Sequence, residues 1–540
     1  MTRRLVVASA IAGVVTAAFL PGSGFGSSAA VMRDAQKIPA GLAAAIHARL
    51  GPRVIRSASA AASAASGPDL GLAVSLSGDG TTALVGAPGV TGGKGAAYIF
   101  QATDAGSWTS QGTPTATLSK AGSGTSLFGI TAALSEDGTT AFVGAPLTGG
   151  GVFGAGAIYE FHVSAENAWA SSSKPTATLT VNHGVLVGIA LALSPDGTTL
   201  VAGAPFYNLL AGGAYVFHVA SEGAWATTST PAATLSNASE SGDDYGVGFA
   251  VAISGDGTTA LVSDDGNPSG GGAYLYHASA EDAWASSSTP TAILSDSNSG
   301  TKDSLGSALA LSGDGTVALL GAPGANSGAG AVDVFHSPLE AAWISATTPT
   351  ATLTKADGAA GDGLGGNLAV SSDGTAALVL APNVATKRGA AYIFSAATEA
   401  TWLSSTAPTA TLTDSGAHSG DSMGIGMFSG DGATALVGAP GVDLQTGAAD
   451  VFHVADASSW ATSSTPNATL TDKALAACVV PKLKGLTLSG AKAALGVGRC
   501  KLGKVTKVHT THKKGRVLSQ SRKTGTRLAI NAKVNVKVGK

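Results

Sequence analysis

Residues 188–205 read GIALALSPDGTTLVAGAP. Two runs of small apolar residues, Gly188–Ser194 and Thr198–Pro205, flank Pro195-Asp196-Gly197. Asp-Gly between apolar runs is a favoured hairpin dipeptide, so the stretch predicts two antiparallel strands. Two further runs follow, Gly212–His218 (GGAYVFH) and Pro231–Ser236 (PAATLS). Small and β-branched apolar residues bounded by Gly, Pro and Ser predict strands three and four. No helical period runs through the segment, which argues against stacked helical repeats.

The same pattern recurs along the chain. Ser-x-Asp-Gly places its aspartate at Asp79, Asp137, Asp196, Asp256, Asp314, Asp373 and Asp431, at steps of 58 to 60 residues. All seven tryptophans fall once per unit, at Trp108, Trp169, Trp225, Trp284, Trp343, Trp402 and Trp460. Two independent markers thus give seven units over Asp69–Asp472. One four-stranded sheet cannot bury both of its faces. Seven copies arranged radially can, because each covers the next, and this predicts a mainly-β chain with a seven-bladed β-propeller of four-stranded blades. The series opens on a first strand and closes on a fourth, so every blade is expected to be continuous in sequence.

Composition agrees. Of 540 residues, 44% are hydrophobic and 12% charged, which excludes a disordered polyelectrolyte. The 75 glycines follow no triplet, excluding collagen, and 2 cysteines exclude both a disulfide-dense scaffold and a four-cysteine zinc site. Charge is split: Asp69–Asp472 carries 7 basic against 33 acidic residues, while Cys478–Lys540 carries 16 basic residues and no acid. A small basic unit therefore follows a large acidic one.

Residues 1–30 have the form of a secretory signal: basic Met1–Arg4, apolar Leu5–Leu20, and small residues up to Ser28-Ala29-Ala30. Residues 31–68 read as a linker, with Ile38–Leu50 compatible with a short helix and Ser57–Ser66 rich in Ala and Ser. No later segment is apolar for long enough to span a bilayer, so no transmembrane span is expected once the signal is removed.

The units resemble the FG-GAP repeats of bacterial surface proteins and of the integrin α-chain propeller. The first pair stands as Phe128-Gly129, with Leu70-Gly71, Val187-Gly188, Val247-Gly248, Leu305-Gly306, Leu364-Gly365 and Met423-Gly424 elsewhere. Gly-Ala-Pro is intact at Gly86–Pro88, Gly144–Pro146, Gly203–Pro205, Gly321–Pro323 and Gly438–Pro440. It decays to Leu380-Ala381-Pro382 and is lost at Ser263-Asp264-Asp265. The family often carries a calcium loop, D-x-D-x-D-G-x-x-D, between the first two strands. Here a single aspartate stands in each hairpin, too few oxygens for the six to eight that calcium takes. The aspartate is better read as a turn residue, and no metal is expected there. Acids also occur between units, at Glu240/Asp243/Asp244, Asp296/Asp303, Asp357/Asp362 and Asp414/Asp421. Solvated acidic loops are the default reading of these.

Val480–Lys540 resembles a PASTA domain, through Val480-Pro481-Lys482-Leu483-Lys484-Gly485, Thr487–Leu495, Gly515–Ser521, Gly525-Thr526 and Lys533–Val538. The resemblance implies a small α+β module at 478–540, one helix against three strands. It also implies binding to peptidoglycan, or spacing of other domains from the envelope, without catalysis.

Cys478 and Cys500 bracket that helix, and in an exported chain they are expected to form one disulfide. Five histidines share one repeat position, His162, His218, His277, His336 and His453, with Gln101 and Ser395 in the other two. Residues repeated by symmetry this far from the axis predict a structural role and no ring of metal ligands. No nucleophile elbow, H-E-x-x-H, P-loop or dinucleotide fingerprint occurs, so no catalytic residue and no cofactor are assigned. Loops joining strands two and three, and one unit to the next, vary in length at one end of the units. There Phe153, Phe206, Tyr207 and Tyr245 are the candidate ligand-binding residues.

These readings predict a secreted, cell-wall-associated binding or adhesion protein that is not an enzyme. The propeller would recognise a protein or glycan, and the basic module would hold peptidoglycan or another anionic wall polymer. Nucleic acid is not expected, because the module lacks aromatics for base stacking. The alternative is a secreted polysaccharide-active enzyme with its site on the variable face.

Overall fold

The computed structural model describes residues 67–540, except 123, 150–153, 183–185, 206, 208–211, 240–246, 268, 443–445, 476–477, 511–513 and 529–530. The signal at 1–30 and nearly all of the linker at 31–68 lie outside the described residues. Among the described residues are seven four-stranded antiparallel sheets, each built from four strands consecutive in the chain. A two-stranded and a three-stranded sheet follow at the C-terminus.

The third sheet shows how sequence becomes strand. Its strands are Leu191–Leu193, Thr199–Gly203, Ala214–His218 and Ala233–Leu235, each shorter than its apolar run. The ends are taken by turns. Ser194 N–H donates to Thr199 O at 2.8 Å, and Gly197 adopts a φ of 71° that disfavours a side chain. Each tryptophan follows a short 3₁₀ turn such as Glu222–Ala224 and folds back on its own hairpin. Trp225 Nε1 donates to Gly197 O at 2.8 Å, and all seven indoles repeat that bond at 2.8–2.9 Å. All seven are buried, so each indole nitrogen is satisfied where water does not reach.

The hydrophobic core is divided. Seven clusters each join two neighbouring sheets, and none is confined to one. One of the seven joins the first sheet to the last, through Leu70, Val85 and Tyr98 on one side and Leu436, Val451 and Leu470 on the other. Backbone bonds cross the same boundary: Leu70 N–H to Thr446 O at 3.1 Å, and Gln111 N–H to Thr469 O at 3.1 Å. First strands of all seven sheets line one cavity of about 480 Å³.

The repeated glycines mark where sheets meet most closely. A Cβ added at Gly86 would lie 2.1 Å from the carbonyl oxygen of Gly129 in the next sheet. Gly438, in the last sheet, stands 2.0 Å by the same measure from Gly71 O in the first. The Gly-Ala-Pro triplet of one sheet is thus pressed backbone to backbone on the apolar-Gly pair of its neighbour. The apolar member of that pair, such as Phe128 or Leu70, is fully buried.

The C-terminal module packs the helix Leu488–Val497, capped by Thr487 Oγ1 accepting from Gly490 N–H, on strands in the order Lys501–Val508, Lys533–Gly539, Val517–Gln520. Its core includes Leu483, Ala491, Leu495, Val517, Val534 and Val536. The disulfide Cys478–Cys500 forms as expected from the sequence. Among the described residues no helix is long and apolar enough to cross a membrane.

Candidate functional site

The Asp-Gly hairpins gather at one end of the seven sheets. Asp79 accepts from Ser77 Oγ at 2.7 Å and from Thr81 N–H at 2.9 Å, while Ser77 Oγ accepts from Thr82 N–H at 2.9 Å. The aspartate therefore closes its own turn, which accounts for its recurrence. Burial pushes Asp314 upward, but bonds from Ser312, Glu399 and Thr316 outweigh it, leaving the pKa below the usual carboxylate value.

Four of the hairpin threonines also reach the neighbouring sheet. Thr81, Thr139, Thr198 and Thr316 donate through Oγ1 to Glu166, Glu222, Glu281 and Glu399 at 2.7–3.1 Å. The hydrogen bond with Asp314, followed by burial, raises the pKa of Glu399; for Glu340, burial is the leading cause. Sequence reasoning missed these glutamates, although five of the seven tryptophans have a Glu three residues earlier. The repeated histidines belong to the same scaffold. His162, His218, His277 and His453 share a hydrogen bond through Nδ1 with Thr140, Thr199, Thr259 and Thr434 at 2.8–3.0 Å.

At the opposite end stand the variable loops. Phe153, Phe206 and Tyr245 lie outside the described residues. Tyr207 is half-buried, its ring edge-on to Tyr215 with centroids 5.7 Å apart, and its N–H donates to Ala204 O at 3.0 Å. The acidic loops form local turns: Asp303 accepts from Gly300 N–H at 2.8 Å, Asp362 from Ala359 N–H at 2.9 Å, and Asp414 from Gly416 N–H at 2.7 Å. Glu240, Asp243 and Asp244 lie outside the described residues. Lys355 sits 4.7 Å over the Tyr392 ring and 3.4 Å from Asp357. Among the described residues, no group of three His, Cys, Asp or Glu side chains is arranged to hold a metal ion.

Three buried carboxyls on third strands were also missed. Glu160 is fully buried and raised to about 7 by burial; it stands where other sheets place Ile99 or Val216. Asp333 and Asp450 stand where other sheets place a tyrosine, raised by burial to about 6 and about 7. Each accepts from a fourth-strand threonine, Thr352 at 2.9 Å and Thr469 at 2.8 Å.

The C-terminal module is the other candidate. Its helix covers one face of the three-stranded sheet, and the open face carries Lys501, Lys533 and Lys537, all exposed. Gln520 ties the module's opening to its third strand, accepting from Leu483 N–H at 2.7 Å and donating to Pro481 O at 2.9 Å. This satisfies the Val-Pro opening and the Gln-Ser segment in one contact. Residues 479–540 match the PASTA domain family. No curated protein is matched by the chain. The PASTA domain meets the last of the seven sheets through Arg499, which donates to Leu475 O at 3.0 Å and to Thr446 Oγ1.

Proposed function

We propose that this chain is an exported surface-binding protein, held at the cell wall by its PASTA domain and presenting seven sheets closed as an FG-GAP-like β-propeller. The observation that carries the wall-binding half is the PASTA match over 479–540, on a segment with 16 basic residues and no acid. The core cluster and backbone bonds joining the first and last sheets support a closed wheel. In this reading domain limits are 69–472 for the propeller and 478–540 for the PASTA domain. The propeller is a scaffold for a protein or glycan ligand at its variable loops, not an enzyme.

The test is co-sedimentation of the full chain with purified cell walls across a salt series. Retention at low salt that weakens as salt rises is expected, since surface charges are screened over about 8 Å at physiological ionic strength. A chain that stays in the supernatant at every salt concentration would remove the anchoring role. Turnover of a polysaccharide by the same preparation, abolished by changing one loop acid, would replace the scaffold reading with the enzymatic one.

A further inference from the structure

The PASTA sheet has one covered and one uncovered face. Along Lys533–Gly539 burial alternates, with Lys533, Asn535 and Lys537 exposed and Val534, Val536 and Val538 buried. The buried set belongs to the core that includes Leu483 and Leu495. The exposed set is extended sideways by register. Lys501 pairs with Lys533, Thr506 with Lys537, and Lys537 with Ser519 on the third strand. Paired residues on adjacent strands point to the same face, so these side chains share one surface. Lys533 and Lys537 are four residues apart on one strand, about 13 Å at about 3.3 Å per residue.

Between the lysines the face is flat and polar. Asn535 Oδ1 accepts from Lys504 N–H at 2.7 Å, and Asn535 N–H donates to Ser521 Oγ at 2.9 Å. A Cβ at Gly503 would lie 2.2 Å from that Asn535 oxygen, so glycine lets the amide settle onto the neighbouring strand.

What is missing from the module narrows the ligand. Cys478–Lys540 contains no Phe, Tyr or Trp. The paired residues of the open face therefore include no aromatic plate on which a pyranose ring or an unpaired base could stack. No acid stands anywhere in the segment to repel an anion or to recognise a cation. The face therefore offers ammonium groups, hydroxyls and one amide. Lysine is a compact point charge that suits a phosphate, whereas planar carboxylate recognition favours the arginine fork.

The geometry points to the open face of Lys501, Thr506, Lys533 and Lys537 as a docking surface for the phosphodiester backbone of a polyol-phosphate wall polymer. This rests on the wall-binding reading above and deepens it: the contact is with the phosphate chain threaded through the wall, not with the glycan itself. Binding is sequence-independent, driven by charge complementarity and counterion release, and steeply salt-dependent.

The experiment uses the full chain and two preparations of the same walls, one intact and one stripped of phosphate polymer by hydrofluoric acid. Affinity for intact walls is expected to exceed that for stripped walls at least tenfold, and poly(glycerol phosphate) should compete. The variant K501Q/K533Q/K537Q should lose at least tenfold on intact walls, while K482Q/K484Q/K523Q, with the same change in net charge on loops, should lose less than threefold. Far-ultraviolet circular dichroism of both variants controls for folding. Equal binding to intact and stripped walls would overturn this inference and leave wall anchoring standing. Binding to neither would overturn both. Equal losses in the two triple variants would reduce the effect to net charge and overturn the assigned face.

Discussion

The Gly430 N–H donates to the carbonyl oxygen of Gly78 across 2.9 Å, joining the last hairpin of the seven sheets to the first. The same position links other neighbours: Gly78 N–H to Glu136 O at 2.8 Å, Glu136 N–H to Pro195 O at 2.8 Å, and Gly255 N–H to Gly313 O at 2.7 Å. Pro195 has no N–H to donate, so no such bond runs from Pro195 to Gly255. Glu136 brings the only charged side chain at this position. It lies over Gly78, where a Cβ would stand 2.1 Å from its Cγ.

If the boundary between last and first sheets is equivalent to the others, damage there should cost as much as damage inside the series. Gly438→Val would drive a side chain onto Gly71 O, and Gly203→Val onto Gly248 O, from Cβ positions only 2.0 and 2.1 Å away. Both should lose about 2–4 kcal/mol in urea unfolding, the range for overpacking or strain that backbone cannot relieve. An internal variant that is costly beside a seam variant that is harmless would mean an open row of sheets.

Much of this is legible in the sequence, because it repeats. Trp and Asp-Gly recur at a nearly constant step, and the sheets, hairpins and turn role of the aspartates follow from them. What repetition conceals is the exception. Glu160, Asp333 and Asp450 each replace an apolar or aromatic residue once or twice, and in a single sequence such a change looks like drift. Only burial reveals them as carboxyls without water. The glutamate three residues before tryptophan was legible but unread, since its partner threonine lies about 83 residues away, in another sheet. The candidate aromatics fall in loops whose conformation no strand period determines, and Tyr207 alone lies within the described residues.

The hairpin aspartates make a prediction of their own. Asp196 accepts from Ser194 Oγ at 2.6 Å, Thr198 N–H at 3.1 Å and Thr198 Oγ1 at 2.9 Å. Asp196→Ala should destabilise the chain by about 1–2 kcal/mol, as for other lost turn and cap acceptors. Asp196→Asn, which keeps an acceptor, should recover part of that. Chelation with EDTA should leave the melting temperature unchanged. A large drop on chelation would mean that these carboxylates hold a metal after all.

Buried carboxyls set the pH dependence. Burial raises Glu160 from 4.5 to about 7, Asp450 from 3.8 to about 7 and Asp333 from 3.8 to about 6. A raised acid stays protonated in the fold after the unfolded chain has released its proton. Stability is therefore full below about pH 4 and falls as pH climbs toward 7, levelling beyond. The hairpin acids work oppositely: Asp137, Asp256, Asp314 and Asp373 are lowered, so their contribution is lost as pH falls below the usual carboxylate range. Thermal melts should peak between about pH 4 and 6 and decline by pH 8. Glu160→Gln removes one ionisation without changing shape. It should be nearly neutral at pH 4.5 and stabilising at pH 8 by on the order of 2–3 kcal/mol. An equal effect at both values would show that ionisation at this site plays no part.

The disulfide stabilises one module and should leave the other alone. Cys478 and Cys500 close a loop of 22 residues around the PASTA helix, and both are buried in its core. In the chain-entropy picture a loop of that size contributes roughly 3 kcal/mol, a large part of what so small a core supplies. The seven sheets contain no cysteine and are held by their own seven clusters. Calorimetry of the full chain should therefore show two transitions. Cys478→Ser/Cys500→Ser, or reduction, should lower the PASTA transition by ten degrees or more, on the order of 3 kcal/mol at about 4–8 °C per kcal/mol for a small domain, and move the larger one by less than two. A single transition that shifts as a whole would mean that the two modules unfold together. In that case the contact of Arg499 with Leu475 would couple them thermodynamically as well as in space.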